Sequence, residues 1–476
     1  MTEKKKSDAA KKLEEKLLYR PKPVWDKING DQRNELFSLA DDYKAFLAAA
    51  KTERLAVRDI VTRAKERGFV DAATAEGKTA KKLFMTNRNK AAALAVIGTE
   101  KPANGLSLIV SHIDSPRLDL KQRPLYEDIE LALMKTHYYG GIKKYNWVSR
   151  PLSLHGVVIT ADGKEVEISI GEDPDDPVFT VSDLLIHLAG KAQMEKKISE
   201  AVPAEKLNIL CGSIPFTDAE VKERVKLAVM SLLNDTYGIV EEDLISAELE
   251  MTPAGPPRDV GFDRSMIGGY GQDDRISAFS SLRAALDAEH PARSFAVFFM
   301  DKEEIGSEGV TGARGRFIEE VMSELLDRTE KVRIPDDMIG AFSRSVCLSA
   351  DVNGALDPDY QEVHEAKNAA RLGYGVCVTK FTGSRGKSMA SDASAELVGR
   401  VRKLFNENNV VWQHGELGKV DEGGGGTIAK DIAERGIDVI DCGPVLLDMH
   451  SPFEISSKAD LYMAYRGFRV FLEKGI

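Results

Sequence analysis

Residues 106–116 read LSLIVSHIDSP. The opening residues are almost all apolar, and a short continuous run of this kind suits a strand covered on both faces. The run stops at His112 and Asp114, two positions apart and so, in an extended chain, on one face. Charged groups there are costly unless paired or bound to a metal, and ligand sites of α/β sheets gather at the carboxyl ends of strands. Similar runs recur at AAALAVIG (91–98), SFAVFFMD (294–301), SVCLSADV (345–352) and IDVIDCG (437–443). Helical patterns occupy 31–51, 52–68, 276–289, 316–328, 391–406, 427–435 and the C-terminal segment from Lys458. That alternation predicts an α/β sheet covered by helices.

The rhythm breaks between about 116 and 257. RPLYEDIELAL, YYGGIKKYNWVSRPLSLHGVVI and VEISIG read as β-hairpin material, followed by helical patterns at 181–197 and 217–233. The Pro/Gly cluster at 253–257 closes the stretch, which reads as a separate domain inserted into the first. The Lys/Glu-rich first twenty residues are expected to be frayed or helical.

The chain has 476 residues and a net charge of −11. An acidic balance argues against a nucleic-acid partner. No apolar run approaches the ~18 residues of a membrane span, and the first residues lack the apolar core of a signal peptide. The four cysteines fit neither a zinc motif nor a disulfide scaffold, so a cytoplasmic location is expected.

Four further segments place charge where a strand ends or a helix begins. Asp273 and Asp274 follow a glycine-rich turn in IGGYGQDDRIS, a place where Asp also serves as a helix cap. Asp301, Glu303 and Glu304 follow a strand in FFMDKEEIGSEG, and adjacent glutamates repel unless a cation compensates. Asp351 ends the strand in SADVNGALDP, and His450 follows a strand-like segment in DMHSPFE. His112, Asp273, Glu304, Asp351 and His450 make five ligands of the type borderline divalent ions accept, and Glu303 is left as a general base. Three carboxylates and a bridging hydroxide balance two divalent cations.

Three other motifs fail as nucleotide- or nucleic-acid-binding signatures. GSRGKS (383–388) lacks the first glycine of a phosphate loop, GGGG (423–426) lacks a following lysine, and KKK (4–6) is a solvated run.

The ordered set HIDSP, QDD, DKEEIGS, ADVNGALDP and MHSPFE, with YGG at 139–141 and IHL at 186–188, resembles the aspartyl aminopeptidase family of dizinc metallopeptidases. The resemblance runs over nearly the whole chain. It implies a mixed-sheet α/β dinuclear-metal exopeptidase domain built from 1–115 and 258–476, with 116–257 as an inserted β-rich dimerisation domain. It implies an aminopeptidase that removes N-terminal residues from peptides by a bridging metal-activated hydroxide. Two divalent ions per subunit are expected, zinc first, with cobalt or manganese also suited. His112 and Asp351 would hold one ion and Glu304 and His450 the other, with Asp273 between them. Glu303 would be the base and Asp114 would orient His112. His187 would act in a neighbouring subunit's site, within dimers that build a tetrahedral dodecamer. Lys380 matches a lysine linked to recognition of acidic side chains. The chain departs from that family's eukaryotic members in Asp274, where they carry Asn, and in KFTGSRGKSMAS. Broad or neutral specificity, or a related dimetal amidohydrolase, is therefore the alternative expectation.

Overall fold

A mixed nine-stranded sheet forms the centre of the computed structural model, which describes residues 7–330 and 335–476. Four parallel neighbours make its middle: Phe295–Met300, Ser107–His112, Val346–Ser349 and Asp438–Gly443. Their side chains alternate between two apolar layers, as the pleat requires. Ile109, Phe295, Val297 and Phe299 pack toward helices Gly30–Ala49, Gln272–Asp287 and Lys458–Lys474. Leu108, Val110, Ala296 and Phe298 face helices Phe317–Glu330 and Ala429–Ala433. Burying each such phenylalanine contributes roughly 1.5–3 kcal/mol, so a one-residue slip would expose an entire layer. The chain is thus of the α/β class, with a mixed sheet covered by helices on both faces.

A seven-stranded antiparallel sheet draws all its strands from between Arg117 and Pro253. It has an apolar core of its own, around Leu118, Trp147, Leu154 and Met251. A third sheet, of five strands, matters most for the site. It pairs Met266–Gly269 with Glu454–Ser457, and the latter with Val445–Leu447. Segments about 190 residues apart in sequence are thereby laid side by side.

Several local expectations need correction. The segment 181–197 is not one helix: it holds a 3-10 turn at Ile186–Leu188 and a π turn at Gly190–Met194. Its apolar residues, Leu184, Leu185, Ile186 and Leu188, are exposed, so no core among the described residues orders them into an amphipathic face. The pattern at 217–233 becomes a helix only over Arg224–Tyr237, after Glu223 with φ 52°. The helix expected over 427–435 shortens to Ala429–Ala433. The N-terminal residues form a helix at Asp8–Leu17 that buries none of its side chains, and the lysine run 4–6 lies outside the described residues. Among the described residues, no helix is long and apolar enough to cross a membrane.

Candidate active site

The central sheet delivers three parts of the site at the carboxyl ends of parallel strands. His112 ends Ser107–His112, Glu303 and Glu304 form a 3-10 turn just beyond Phe295–Met300, and Asp351 lies two residues past Val346–Ser349. The close packing there is enforced by Gly443, where a Cβ would sit 2.1 Å from the Asp351 carbonyl oxygen. The five-stranded sheet delivers the rest: Asp273 follows Met266–Gly269, and His450 lies between Val445–Leu447 and Glu454–Ser457.

These residues converge. Nε2 of His112 lies 3.2 Å from Oδ1 of Asp273, and Nε2 of His450 lies 3.1 Å from Oδ2 of the same carboxylate. Glu304 Oε2 is 3.5 Å from the His450 Nε2, while Glu303 Oε2 and Asp351 Oδ1 are each 4.0 Å from that of His112. Two donor sets with ligand atoms within 4.8 Å of one another result: His112, Asp273 and Glu304, and His112, Asp274 and Asp351. Asp274 also accepts the backbone N–H of His112 at 3.4 Å.

The donor chemistry fits a metal. Nδ1 of His112 lies 3.0 Å from the Asp114 carbonyl oxygen, and Nδ1 of His450 lies 2.9 Å from the Gly141 carbonyl oxygen. A carbonyl only accepts, so each Nδ1 carries a proton, and a ring in its neutral form turns a bare Nε2 lone pair toward Asp273. Lone pair facing carboxylate is repulsive unless a cation stands between them, and this is how metal-binding imidazoles are usually held. Glu304 Oε1 and Asp274 Oδ1 are buried with no hydrogen-bond partner. With protein groups alone, protons must fill the gap. Burial works against a charged His450, yet the Asp273 and Glu304 carboxylates carry it up to about 10. His112 is likewise held well above its usual range by Asp114 and Asp273, against the effect of burial. Burial lifts Glu303 to about 7, with Asp114 and Asp273 adding to the rise and His112 opposing it.

Two buried carboxylates hold the framework. Asp114 accepts the backbone N–H groups of Glu303 and Glu304, both at 3.2 Å, and the Tyr139 hydroxyl at 2.8 Å. Its own carboxylate is 3.4 Å from His112 Nδ1, farther than its carbonyl, so it orders the glutamate turn more directly than the imidazole. Glu454 accepts the N–H groups of His450, Gln272 and Asp273 at 2.8, 2.6 and 3.2 Å. Burial and Asp273 raise it to about 8, against those donors. The YGG segment closes over the site: Tyr139 reaches Asp114, Gly141 receives His450, and a Cβ at Gly140, whose φ is 71°, would stand 3.3 Å from Glu304. Glu454 and Tyr139 had sequence signals, the glutamate of MHSPFE and the tyrosine of YGG, but no pattern gave them roles.

The cleft over this cluster is walled by Asn353, Thr379, Arg385, Lys419 and the 423–426 glycines. Two expected residues lie elsewhere. Lys380 pairs with Asp392 at 2.6 Å and borders a separate hollow with Tyr19 and Trp412. His187 is exposed on the Ile186–Leu188 turn and does not line the cleft of its own chain.

A mixed α/β sheet whose strand ends gather imidazoles and carboxylates around Asp273 presents the donor set of a metallohydrolase. The chain belongs to the aminopeptidase I zinc metalloprotease (M18) family, whose model matches residues 46–472. It is 51% identical over 455 residues to a probable M18 family aminopeptidase 1 of Thermotoga neapolitana, covering 95% of this chain and 98% of that protein. It is similar to the crystal structure of the M18 aminopeptidase from Thermotoga maritima, with a TM-score of 0.92 and 49% identity over 96% of this chain and 99% of that one. The fold also matches the mApe1 dodecamer of S. cerevisiae, with a TM-score of 0.72 and 20% identity over 91% of this chain and 95% of that one. The enzyme is accordingly an aminopeptidase that removes N-terminal residues.

Proposed function

We propose that the cluster is a dinuclear zinc centre that hydrolyses the first peptide bond of peptide substrates. The observation that carries this reading is the pair of Nε2 atoms facing the two oxygens of Asp273 at 3.2 and 3.1 Å. His112 and Asp351 would hold one ion, Glu304 and His450 the other, and Asp273 both. Bound there, the ions supply Lewis acidity toward the peptide carbonyl and lower the pKa of a water to near neutrality. Glu303 takes the proton of the attacking water on its carboxylate and returns it to the leaving amine.

The segment 116–257 serves as the dimerisation domain, and dimers assemble into a homo-oligomer, a tetrahedral dodecamer. The exposed Leu184, Leu185, Ile186 and Leu188 around His187 support this, because an apolar cluster of this kind marks an interface. His187 would then enter a neighbour's site and stabilise charge on the carbonyl oxygen. An acidic first residue is preferred, with Arg385 and Lys419 in the cleft as its partners. Lys380 takes that part only by giving up Asp392. The enzyme works in the cytoplasm.

The test is a chelated preparation assayed on aminoacyl reporters and on the same reporters with a blocked α-amine, with zinc, cobalt and manganese added back separately. Activity that disappears on chelation, returns with metal and requires a free amine is expected. Full activity without metal would overturn the reading.

A further inference from the structure

Glu454 is 1% exposed and lies at the start of the strand Glu454–Ser457, opposite Gly269. Such a group loses its hydration, and only strong partners offset that loss. Its partners are backbone N–H groups alone: Oε1 accepts from His450, and Oε2 accepts from Gln272 and Asp273. Both oxygens therefore serve as acceptors for main-chain donors. The Gln272 side chain donates an N–H to the Glu454 carbonyl at 2.6 Å and accepts from Ser456 at 2.5 Å, which fixes the residue at which the two backbone donors to Oε2 begin.

His450 has φ 66°, a left-handed conformation unusual for a residue other than glycine, so its backbone needs an external hold. Glu454 provides one through the His450 N–H. The same carboxylate grips the N–H of Asp273, whose side chain faces the His450 ring at 3.1 Å. One buried group therefore sets the spacing between two donor residues that lie 177 positions apart in the chain.

We propose that Glu454 is a positioning residue for the metal centre: it acts on the His450 and Asp273 backbones and touches neither the ion nor the substrate. The inference rests on the dinuclear reading above. The test is zinc titration of metal-stripped, full-length protein against a competing chromophoric chelator, with thermal unfolding of the metal-free protein measured in parallel. Glu454→Gln keeps the shape but turns an NH2 group toward backbone N–H donors. It should weaken zinc at one of two sites by about 10- to 100-fold while metal-free stability changes little. Activity should return in excess zinc. Glu454→Asp keeps the charge but withdraws the oxygens by one methylene; it should fall between wild type and Gln, and it carries the comparison if the Gln variant does not fold. A folded variant with wild-type zinc affinity at both sites would overturn the proposal alone. A wild-type chain that binds no zinc would remove the dinuclear reading and this inference together.

Discussion

The Tyr139 hydroxyl donates to Oδ2 of Asp114 at 2.8 Å, linking a strand of the seven-stranded sheet to the turn that carries Glu303 and Glu304. The Arg117 guanidinium lies 4.0 Å from the centre of the Tyr139 ring and steadies it. Hydrogen bonds to charged groups contribute about 1.5–3 kcal/mol. Tyr139→Phe should therefore lower kcat by roughly tenfold or more, with KM nearly unchanged. Steady-state kinetics separate the two. A variant with normal kcat would show that the two backbone N–H groups suffice to hold Asp114.

Glu303 and Glu304 are neighbours with different surroundings, so their amides should fail differently. Glu303→Gln removes the proton acceptor and should abolish turnover with metal content intact. Glu304→Gln removes a donor beside His450 Nε2 and should reduce metal content first. Metal analysis of both proteins, alongside kcat, distinguishes them. Near-normal turnover in Glu303→Gln would reassign the base.

Active-site sharing predicts complementation between variants. His187→Ala and Glu303→Gln should each be inactive as pure oligomers. Mixed assemblies should recover part of the activity, since some sites then combine an intact Glu303 with a neighbour's His187. Lack of recovery after proven subunit exchange would confine His187 to the interface.

The cations of the cleft divide the question of specificity. Arg385 lines it, whereas Lys380 is tied to Asp392. Arg385→Met should lower kcat/KM on Asp and Glu reporters by about ten- to a hundredfold and leave Leu and Ala reporters little changed. Lys380→Met should affect both classes alike. A loss confined to acidic reporters in Lys380→Met would return the role to Lys380, and a wild-type enzyme indifferent to acidic residues would remove the preference.

Asp441 offers a test by pH. It is buried in the central sheet, accepts the Thr427 hydroxyl at 2.8 Å, and is raised by burial to about 6. Because the folded value lies above the unfolded one, the folded state disfavours ionisation. This group's cost to stability is small below about pH 4, grows as pH rises, and is complete above about pH 6. Asp441→Asn should gain stability over wild type between about pH 4.5 and 6.5, by up to about 3 kcal/mol. Thermal unfolding across that range checks the sign; a gap that shrinks as pH rises would contradict it.

The central strands were legible because they are buried on both faces, so Leu106 to Val110 is apolar except for Ser107 and Phe295 to Met300 is an unbroken apolar run. The residues that converge on Asp273 were legible as a group because charge at the end of such a run is conspicuous. The segment 181–197 misled because its periodic leucines look amphipathic, although no surface among the described residues receives them. The strand Lys82–Asn87 went unread, its apolar residues being mixed with Lys82, Thr86 and Asn87. Glu454 and Tyr139 escaped for another reason. Their roles lie in hydrogen bonds across gaps of up to 182 residues, and pairing at that range leaves no periodic trace.

Asp114 and Glu454 grip the main chain of the donor residues and leave most of the donor side chains untouched. The donor atoms are thus interchangeable parts on a fixed mount. Exchanging Glu304 for histidine, or His450 for a carboxylate, leaves the N–H groups that locate those positions in place. On the proposed metal reading, the chain is a scaffold whose metal preference is open to change one side chain at a time.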